Sequence, residues 1–196
     1  IRNPIGSVSL LASTLLKKVD PTIKPLVIEI KKSIWRVERI IKATLLFTKN
    51  VQINPSSFYL DKFIKECEKA IEHYSYTKEV SFHFELPHLE IKGDFELLNL
   101  VLQNFIFNAI DAIEESDNET GTIILSYQED KEFVVLHVKD DGKPIENKNI
   151  LFEPFKTTKT KGNGLGLALS LQIIQAHNGK IELLEETKGF SIKIAR

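Results

Sequence analysis

Apolar residues recur at steps of three and four along the first 45 residues of the chain. One apolar stripe occupies residues 1–18 and a second residues 26–45, and the break between them carries Asp20, Pro21 and Pro25. This spacing predicts two amphipathic helices joined by a short turn, which form an antiparallel hairpin. Because a lone hairpin buries little apolar surface, we expect two copies to associate as a four-helix bundle. The stripes comprise Ile1, Ile5, Val8, Leu11, Leu15, Leu26, Ile30, Ile34, Val37, Ile41 and Leu45.

The pattern changes after residues 54–57, an Asn-Pro-Ser-Ser segment that we interpret as a linker. The rest of the chain mixes helical and strand-like periodicity, and it contains a long irregular stretch, typical of a functional lid, at residues 142–162. We predict an α+β chain with a helical hairpin at residues 1–52 and an α/β sandwich at residues 53–196. Helices are predicted at residues 59–73, 96–113 and 165–177, and strands at residues 80–84, within 121–140, and at 180–184 and 190–194.

Composition places the chain among globular proteins. Apolar residues make up 42% and charged residues 27%, which excludes collagen-like, disordered and disulfide-rich classes. The single cysteine, Cys67, cannot form an internal disulfide, which fits a reducing compartment such as the cytoplasm. No apolar run approaches the roughly 18 residues that span a bilayer, so we expect no membrane segment. Because the chain contains no methionine, we interpret it as a fragment of a longer protein.

The small net charge conceals two segments of opposite sign. Residues 1–50 carry ten Lys or Arg against three acids, a net charge of +7, and the remainder carries a net charge of −8. The basic segment either attracts an acidic partner or simply presents solvated helix faces. Nucleic acid is a poor candidate for that partner, because Trp35 and Phe47 are the only aromatic residues among these cations.

Four short segments could carry chemistry. Asn104, Asn108 and Asp111 share one face of a predicted helix, which is either exposed or the floor of a site. An Asp-Asp-Gly run at residues 140–142 follows a predicted strand, and a Phe-Glu-Pro-Phe run at residues 152–155 lies in the irregular stretch. A Gly-Asn-Gly-Leu-Gly-Leu loop at residues 162–167 opens a helix, where backbone N–H groups bind phosphate well. A dinucleotide fold is disfavoured, because that loop follows a long irregular stretch and no strand.

In this order the four segments resemble the ATP-binding domain of sensor histidine kinases, which shares its fold with Hsp90 and gyrase. The Ile-Arg-Asn-Pro-Ile-Gly run at residues 1–6 is similar to the tail of their phosphoacceptor box, most like nitrogen-regulator-type kinases. The resemblance implies the cytoplasmic core of a two-component sensor histidine kinase. It also implies a homodimer that uses ATP and Mg²⁺ and phosphorylates the receiver domain of a response regulator.

The resemblance assigns roles to individual residues. Asn108 looks like the magnesium ligand, Asn104 a neighbour on the phosphate side, and Asp140 the acid that reads adenine. Asn3 matches the residue that orients water for dephosphorylation of the regulator, so the regulator is expected to dock near it on the basic hairpin. The other implied nucleotide-site residues are Gly142 beside the ring, Phe152 and Phe155 holding the lid, Thr158 and Lys159 near the phosphates, and Gly162, Gly164, Leu165 and Gly166 in the phosphate turn.

Two departures from the family pattern leave alternatives open. The acceptor histidine would lie just before Ile1, so we expect this chain not to autophosphorylate by itself. Pro144 stands where the family has a flexible glycine, which favours a degenerate, non-catalytic dimeric scaffold as the alternative function. A hydrolytic ATPase is disfavoured, because the related ATPases carry a water-activating glutamate where this chain has Asn104. Anti-sigma-factor kinases share the ATP-binding fold but lack the helical hairpin.

Overall fold

Five α-helices and seven β-strands lie in the described part of the chain. The computed structural model describes residues 2–47, 51–74, 76–129, 131–157 and 164–195, without the side chains of residues 2–4, 39, 47 and 73. The helices are α1 (Arg2–Leu16), α2 (Lys24–Phe47), α3 (Leu60–His73), α4 (Phe95–Glu114) and α5 (Gly166–Ala176). The strands are β1 (Ser56–Tyr59), β2 (Glu79–Glu85), β3 (Glu90–Gly93), β4 (Thr120–Glu129), β5 (Phe133–Asp140), β6 (Lys180–Leu183) and β7 (Gly189–Ala195).

Helices α1 and α2 form over the two predicted stripes and pack against each other. The turn between them is held by Asp20, whose side chain accepts hydrogen bonds from the backbone N–H of Thr22 at 2.9 Å and from its hydroxyl at 2.7 Å. The contact buries Ala12 and Val27, but much of the apolar surface of the two helices remains exposed. The exposed apolar residues are Val8, Leu10, Leu11, Leu15, Ile23, Leu26, Ile30, Val37 and Leu45.

The remaining elements form a mixed five-stranded sheet covered by helices. The strand order is β2-β4-β5-β7-β6, with β2 and β4 parallel and the other pairs antiparallel. Alternate residues of β4 and β5 are buried in the core that also contains α4 and α5, as period-two alternation predicts. This confirms the predicted α/β sandwich. The sequence-based interpretation of residues 54–57 as a linker was wrong in part, because residues 56 and 57 begin β1, which pairs with β3 in a separate antiparallel ribbon.

Helix α4 runs through the middle of the core and presents buried residues on most of its surface. Its start is fixed by Asp94, whose side chain accepts from the N–H of Leu97 at 3.0 Å and from the N–H of Asn54 at 2.9 Å. The N–H of Asp94 in turn donates to Nε2 of the buried His177 at 2.9 Å. These bonds join the start of α4 to the end of α5. The buried Cys67 of α3 belongs to the same core, and burial raises the pKa of its thiol to about 12.

Helix α2 also contacts the sandwich directly. The ring of Trp35 packs edge-on against Phe107 of α4 at 4.4 Å and against Tyr74 at 4.7 Å between centroids. One turn before Trp35, Nζ of Lys32 lies 3.0 Å from a carboxylate oxygen of Glu114. Through these contacts α2 lies beside the C-terminal half of α4.

Candidate functional site

A cavity of about 500 Å³ lies where several parts of the fold meet. Its walls include α2, the C-terminal half of α4, the end of β5 with the segment that follows it, the residues that lead into α5, and the start of β7 with the turn before it. The size is within the range of small-molecule sites, and the lining combines apolar side chains with charged and amide groups. The wall contributed by α2, with Glu29, Lys32 and Arg36, is absent from the sequence-based prediction of the site.

The polar residues on one face of α4 lie partly at the cavity wall and partly in the core. Asn108 and Asp111 line the cavity, and the hydroxyl of Tyr74 donates to Asp111 at 2.5 Å. Asn104, one turn earlier, is only 3% exposed. Its amide nitrogen lies 3.2 Å from the Gly166 carbonyl oxygen and 3.1 Å from the Ser170 hydroxyl. Asn104 therefore joins α4 to the first turn of α5, which holds the end of the glycine loop next to the cavity.

Asp140 occupies the last position of β5, and its side chain is only 8% exposed. The N–H of Gly142 donates to Oδ1 of Asp140 at 3.0 Å, and the ammonium of Lys188 contacts the same oxygen. Both Asp140 and Lys188 line the cavity. Sequence reasoning identified Asp140 but missed Lys188, because Lys188 lies 48 positions further along the chain and belongs to no local motif.

Gly142 allows the segment after β5 to approach α4 closely. A side chain at this position would place its first carbon 2.5 Å from the carbonyl carbon of Ala112. The next N–H, from Lys143, donates to the Ala112 carbonyl oxygen at 2.8 Å. Pro144 follows at the cavity wall. The irregular stretch predicted at residues 142–162 is irregular where it is described, apart from one 3₁₀ turn at Lys148–Ile150.

The part of the glycine loop that the structure describes contributes backbone atoms to the cavity wall. Gly164 has φ of +65°, a conformation that favours glycine, and its carbonyl oxygen accepts from the N–H of Phe155 at 3.0 Å. Gly164 and Gly166 line the cavity. The Leu165 side chain between them is 2% exposed and belongs to the core, so any contact with a ligand would come from its backbone.

The two phenylalanines predicted to hold the lid differ in their surroundings. The ring of Phe152 lies 6.4 Å from that of Phe190, in an edge-on contact. The Phe155 ring is 68% exposed, and the N–H of this residue forms the described bond to Gly164. Phe155 therefore contacts the loop through its backbone, and the role of the two rings in holding a lid stays a prediction.

Several predicted site residues lie outside the described part of the structure. Thr158, Lys159 and Gly162 belong to the undescribed segment 158–163. Asn3 lies in the first turn of α1, and its side chain is among those not described. Among the described residues, no group of three or more His, Cys, Asp or Glu side chains is arranged to hold a metal ion. No helix among those same residues is long and apolar enough to cross a membrane.

Comparison with known proteins shows the family to which this architecture belongs. Residues 93–195 match the family described as "Histidine kinase-, DNA gyrase B-, and HSP90-like ATPase". The match covers α4, the cavity segments after β5 and the glycine loop, and it extends over more than half of the chain. The chain belongs to this family.

Both curated proteins and solved structures are similar to this chain. The sensor histidine kinase FlgS of Helicobacter pylori is 52% identical over 196 residues, which cover 99% of this chain and 51% of FlgS. The catalytic domain of the histidine kinase ThkA is 30% identical, with a TM-score of 0.59, 72% of this chain covered and 97% of that domain. The chain therefore spans about half the length of its curated relative FlgS.

One solved structure also matches the helices that precede the ATPase domain. The histidine kinase AdeS of Acinetobacter baumannii aligns with 97% of this chain and 94% of its own, with a TM-score of 0.66 and 21% identity. At that identity the likeness is one of fold. It extends over α1 and α2 as well as the histidine kinase-like ATPase domain.

Proposed function

We propose that this chain is the core of a two-component sensor histidine kinase. In this role the cavity binds ATP with Mg²⁺, and the γ-phosphoryl group passes to a histidine and then to an aspartate of a response-regulator receiver domain. The observation that carries the proposal is the convergence of Asn108, Asp140, Gly164 and Gly166 on one cavity. Family membership and the likeness to FlgS support the same function, and nothing in the comparisons favours the degenerate scaffold.

The described residues fit an adenine nucleotide. The carboxylate of Asp140 is a hydrogen-bond acceptor at the end of a strand, and the 6-amino group of adenine is a donor of matching polarity. Backbone at Gly164 and Gly166 borders the same cavity at the start of α5, where an anionic phosphate is favoured by the helix N-terminus. In this arrangement Asp140 binds the base and the start of α5 lies toward the phosphates. We further propose that Gly142 shapes the base end, and that Thr158, Lys159 and Gly162 contribute at the phosphate end.

The residues present also fit a magnesium ion carried mainly by the nucleotide. Mg²⁺ prefers oxygen ligands and is commonly held by one or two protein groups together with phosphates and water. Asn108 lies at the cavity wall, and its side-chain oxygen is a ligand of the kind that Mg²⁺ prefers. When bound, Mg²⁺ would neutralise charge on the transferring phosphoryl group.

We also propose two associations for the hairpin. The exposed apolar residues of α1 and α2 would be covered in a homodimer, as a four-helix bundle. The basic hairpin, net +7 over residues 1–50, would attract the acidic receiver domain near Asn3. In this proposal Asn3 positions the water that attacks the regulator's phosphoaspartate, the acceptor histidine precedes Ile1, and the protein works in the cytoplasm. The finer likeness to nitrogen-regulator-type kinases stays a prediction.

Nucleotide binding by the Asp140→Ala variant tests the central proposal. Loss of the acceptor for the 6-amino group should weaken ATP binding roughly tenfold to a hundredfold in calorimetry, because the lost hydrogen bond has a charged partner. Asp141→Ala is a matched control, since Asp141 is the adjacent acid but accepts from the N–H of Thr122 at 2.8 Å, outside the cavity wall. The control should bind ATP like the unaltered chain. Undiminished, adenine-selective binding by Asp140→Ala would show that the base is read elsewhere.

A further inference from the structure

The fold brings Lys188 to the base-reading acid. The N–H of Asp140 approaches the carbonyl oxygen of Lys188 at 3.4 Å, and strands β5 and β7 pair with Lys139 opposite Gly189. The turn that carries Lys188 is closed by the N–H of Leu184, which donates to the Gly189 carbonyl oxygen at 3.0 Å. Strand pairing therefore places the backbone of Lys188 directly beside Asp140.

The ion pair is sheltered from solvent. The side chains of Asp140 and Lys188 are 8% and 18% exposed. A buried charged group requires ion-pair or hydrogen-bond partners. Here the Lys188 ammonium and the Gly142 N–H both contact Oδ1, so they satisfy this oxygen and restrict rotation of the carboxyl group.

Several other charged groups line the same wall. Three of its cations contact other acids, at 3.0, 3.1 and 2.6 Å: Lys32 contacts Glu114, Lys143 contacts Glu146, and Lys156 contacts Glu153. The other described titratable groups of the wall are Glu29 and Arg36 of α2, Asp111 of α4, Glu115 directly after α4, and Tyr74, which donates to Asp111. Among the described ion pairs of this wall, the one that includes Asp140 is formed by Lys188.

We propose that Lys188 is a positioning residue for base recognition, which holds the Asp140 carboxylate in the orientation that accepts a hydrogen bond from a purine with a 6-amino group. The inference rests on the proposed binding of an adenine nucleotide. A carboxylate only accepts hydrogen bonds and therefore discriminates against a 6-oxo purine, whose oxygen is also an acceptor. Selectivity for adenine thus depends on the orientation in which Lys188 and the Gly142 N–H hold this carboxylate.

Lys188→Met, which preserves much of the side-chain length without the charge, tests this role. Binding of ADP and of inosine diphosphate, which differs from ADP by the 6-oxo group, is measured by calorimetry. The variant should lose about tenfold in the preference for ADP, the value of one charged hydrogen bond. Its affinity for inosine diphosphate should change little, whereas a purely structural defect would lower the affinity for both diphosphates.

Two further variants separate charge from packing. Lys188→Arg restores a cation and should recover the ADP preference. Lys193→Met is a matched control, because Lys193 lies on the neighbouring strand β7 and contacts Glu182 at 2.7 Å, but it does not line the cavity. That control should retain the ADP preference. If Lys188→Met keeps the preference of the unaltered chain, the positioning role is overturned while the nucleotide site itself stands.

A second variant covers the case in which Lys188→Met does not fold. Lys188→Ala removes the same contact with Asp140 without placing an apolar chain beside the carboxylate, so it should lose the preference for ADP to a similar extent. A folded Lys188→Ala variant that keeps the full preference would overturn the inference. If the unaltered chain bound neither diphosphate, the proposed function itself would fail.

Discussion

Nζ of Lys32 on α2 lies 3.0 Å from Oε2 of Glu114 at the end of α4. The other oxygen of Glu114 accepts hydrogen bonds at 2.8 Å from the backbone N–H groups of Thr77 and Lys78, just before β2. Burial by itself raises the pKa of the Glu114 carboxyl, but the bonds from Lys78, Thr77 and Lys32 outweigh burial and leave the pKa below its ordinary value. One carboxylate thus connects the hairpin, α4 and the sheet.

Stability should depend on the charge of Glu114. Because the pKa of this carboxyl is lowered in the folded state, its contribution is present above the pKa of the unfolded chain and is lost as pH falls through the folded pKa. We expect Glu114→Gln to lower the free energy of unfolding by about 1 kcal/mol at pH 7. The difference should shrink as pH falls below the ordinary glutamate pKa of about 4.3 and disappear once pH has passed through the lower pKa of folded Glu114. Urea unfolding at several pH values measures both effects.

An exposed ion pair provides the control for that series. Glu66 contacts Lys69 on the surface of α3, with both side chains about half exposed. Glu66→Gln should change the unfolding free energy very little at any pH, as is usual for surface pairs. Equal losses from Glu66→Gln and Glu114→Gln would mean that net charge, and not the bonds to Lys32 and the β2 segment, determines the effect.

The fluorescence of Trp35 should report contact between α2 and the sandwich. Trp35 is the only tryptophan of the chain, and its ring packs against Phe107 and Tyr74. Phe107→Leu removes one of these aromatic contacts and should shift the emission of Trp35 to longer wavelength as water gains access. Phe63→Leu removes a ring that is equally buried but packs against Phe58 and Phe95, so its emission should stay unshifted. Identical spectra for both variants would argue against docking of α2 on Phe107.

Sequence periodicity was sufficient for most of the fold. The helices and the strands of the five-stranded sheet lie close to their predicted positions, because one buried face gives each of them a clear period. Strands β1 and β3 were missed. Each has only four residues, and a pairing between segments more than 30 positions apart leaves no local periodic signal.

The site was predictable where its residues lie on one element. Asn108 and Asp111 share a helical face, and the structure places both on the cavity wall. The same periodicity could not show that Asn104, on the same helical face, is buried and hydrogen-bonded to Ser170. Lys188 and the α2 wall were not predictable, because strand pairing and helix docking bring them to the cavity from distant parts of the chain. Lys32 of the basic hairpin contacts Glu114 of the acidic segment, a pairing that the net charges alone did not predict.

Magnesium should strengthen nucleotide binding through Asn108. If its side-chain oxygen ligates the ion, the factor by which Mg²⁺ increases the ADP affinity should be about tenfold smaller for Asn108→Ala than for the unaltered chain. Affinity in the presence of a chelator should change little, because the base and backbone contacts remain. Calorimetry with Mg²⁺ and with chelator measures the two values. Asn99→Ala, on the same helix but away from the cavity, should leave the magnesium effect intact. Equal loss with and without the metal would instead assign Asn108 to the nucleotide itself.

The uncovered apolar faces of the hairpin should hold two copies of the chain together. Leu11 and Leu26 are 68% and 66% exposed in the single chain, although both belong to the apolar stripes of amphipathic helices. We expect light scattering to give a dimer at micromolar concentration, and Leu11→Gln with Leu26→Gln to shift it toward monomer. These polar replacements should cost the monomer little, since neither side chain is buried there. Ile124→Gln, at a partly exposed position of the sheet, should leave the dimer intact. An unaltered chain that stays monomeric at micromolar concentration would contradict the four-helix bundle, because its exposed leucines would then not pack against a second hairpin.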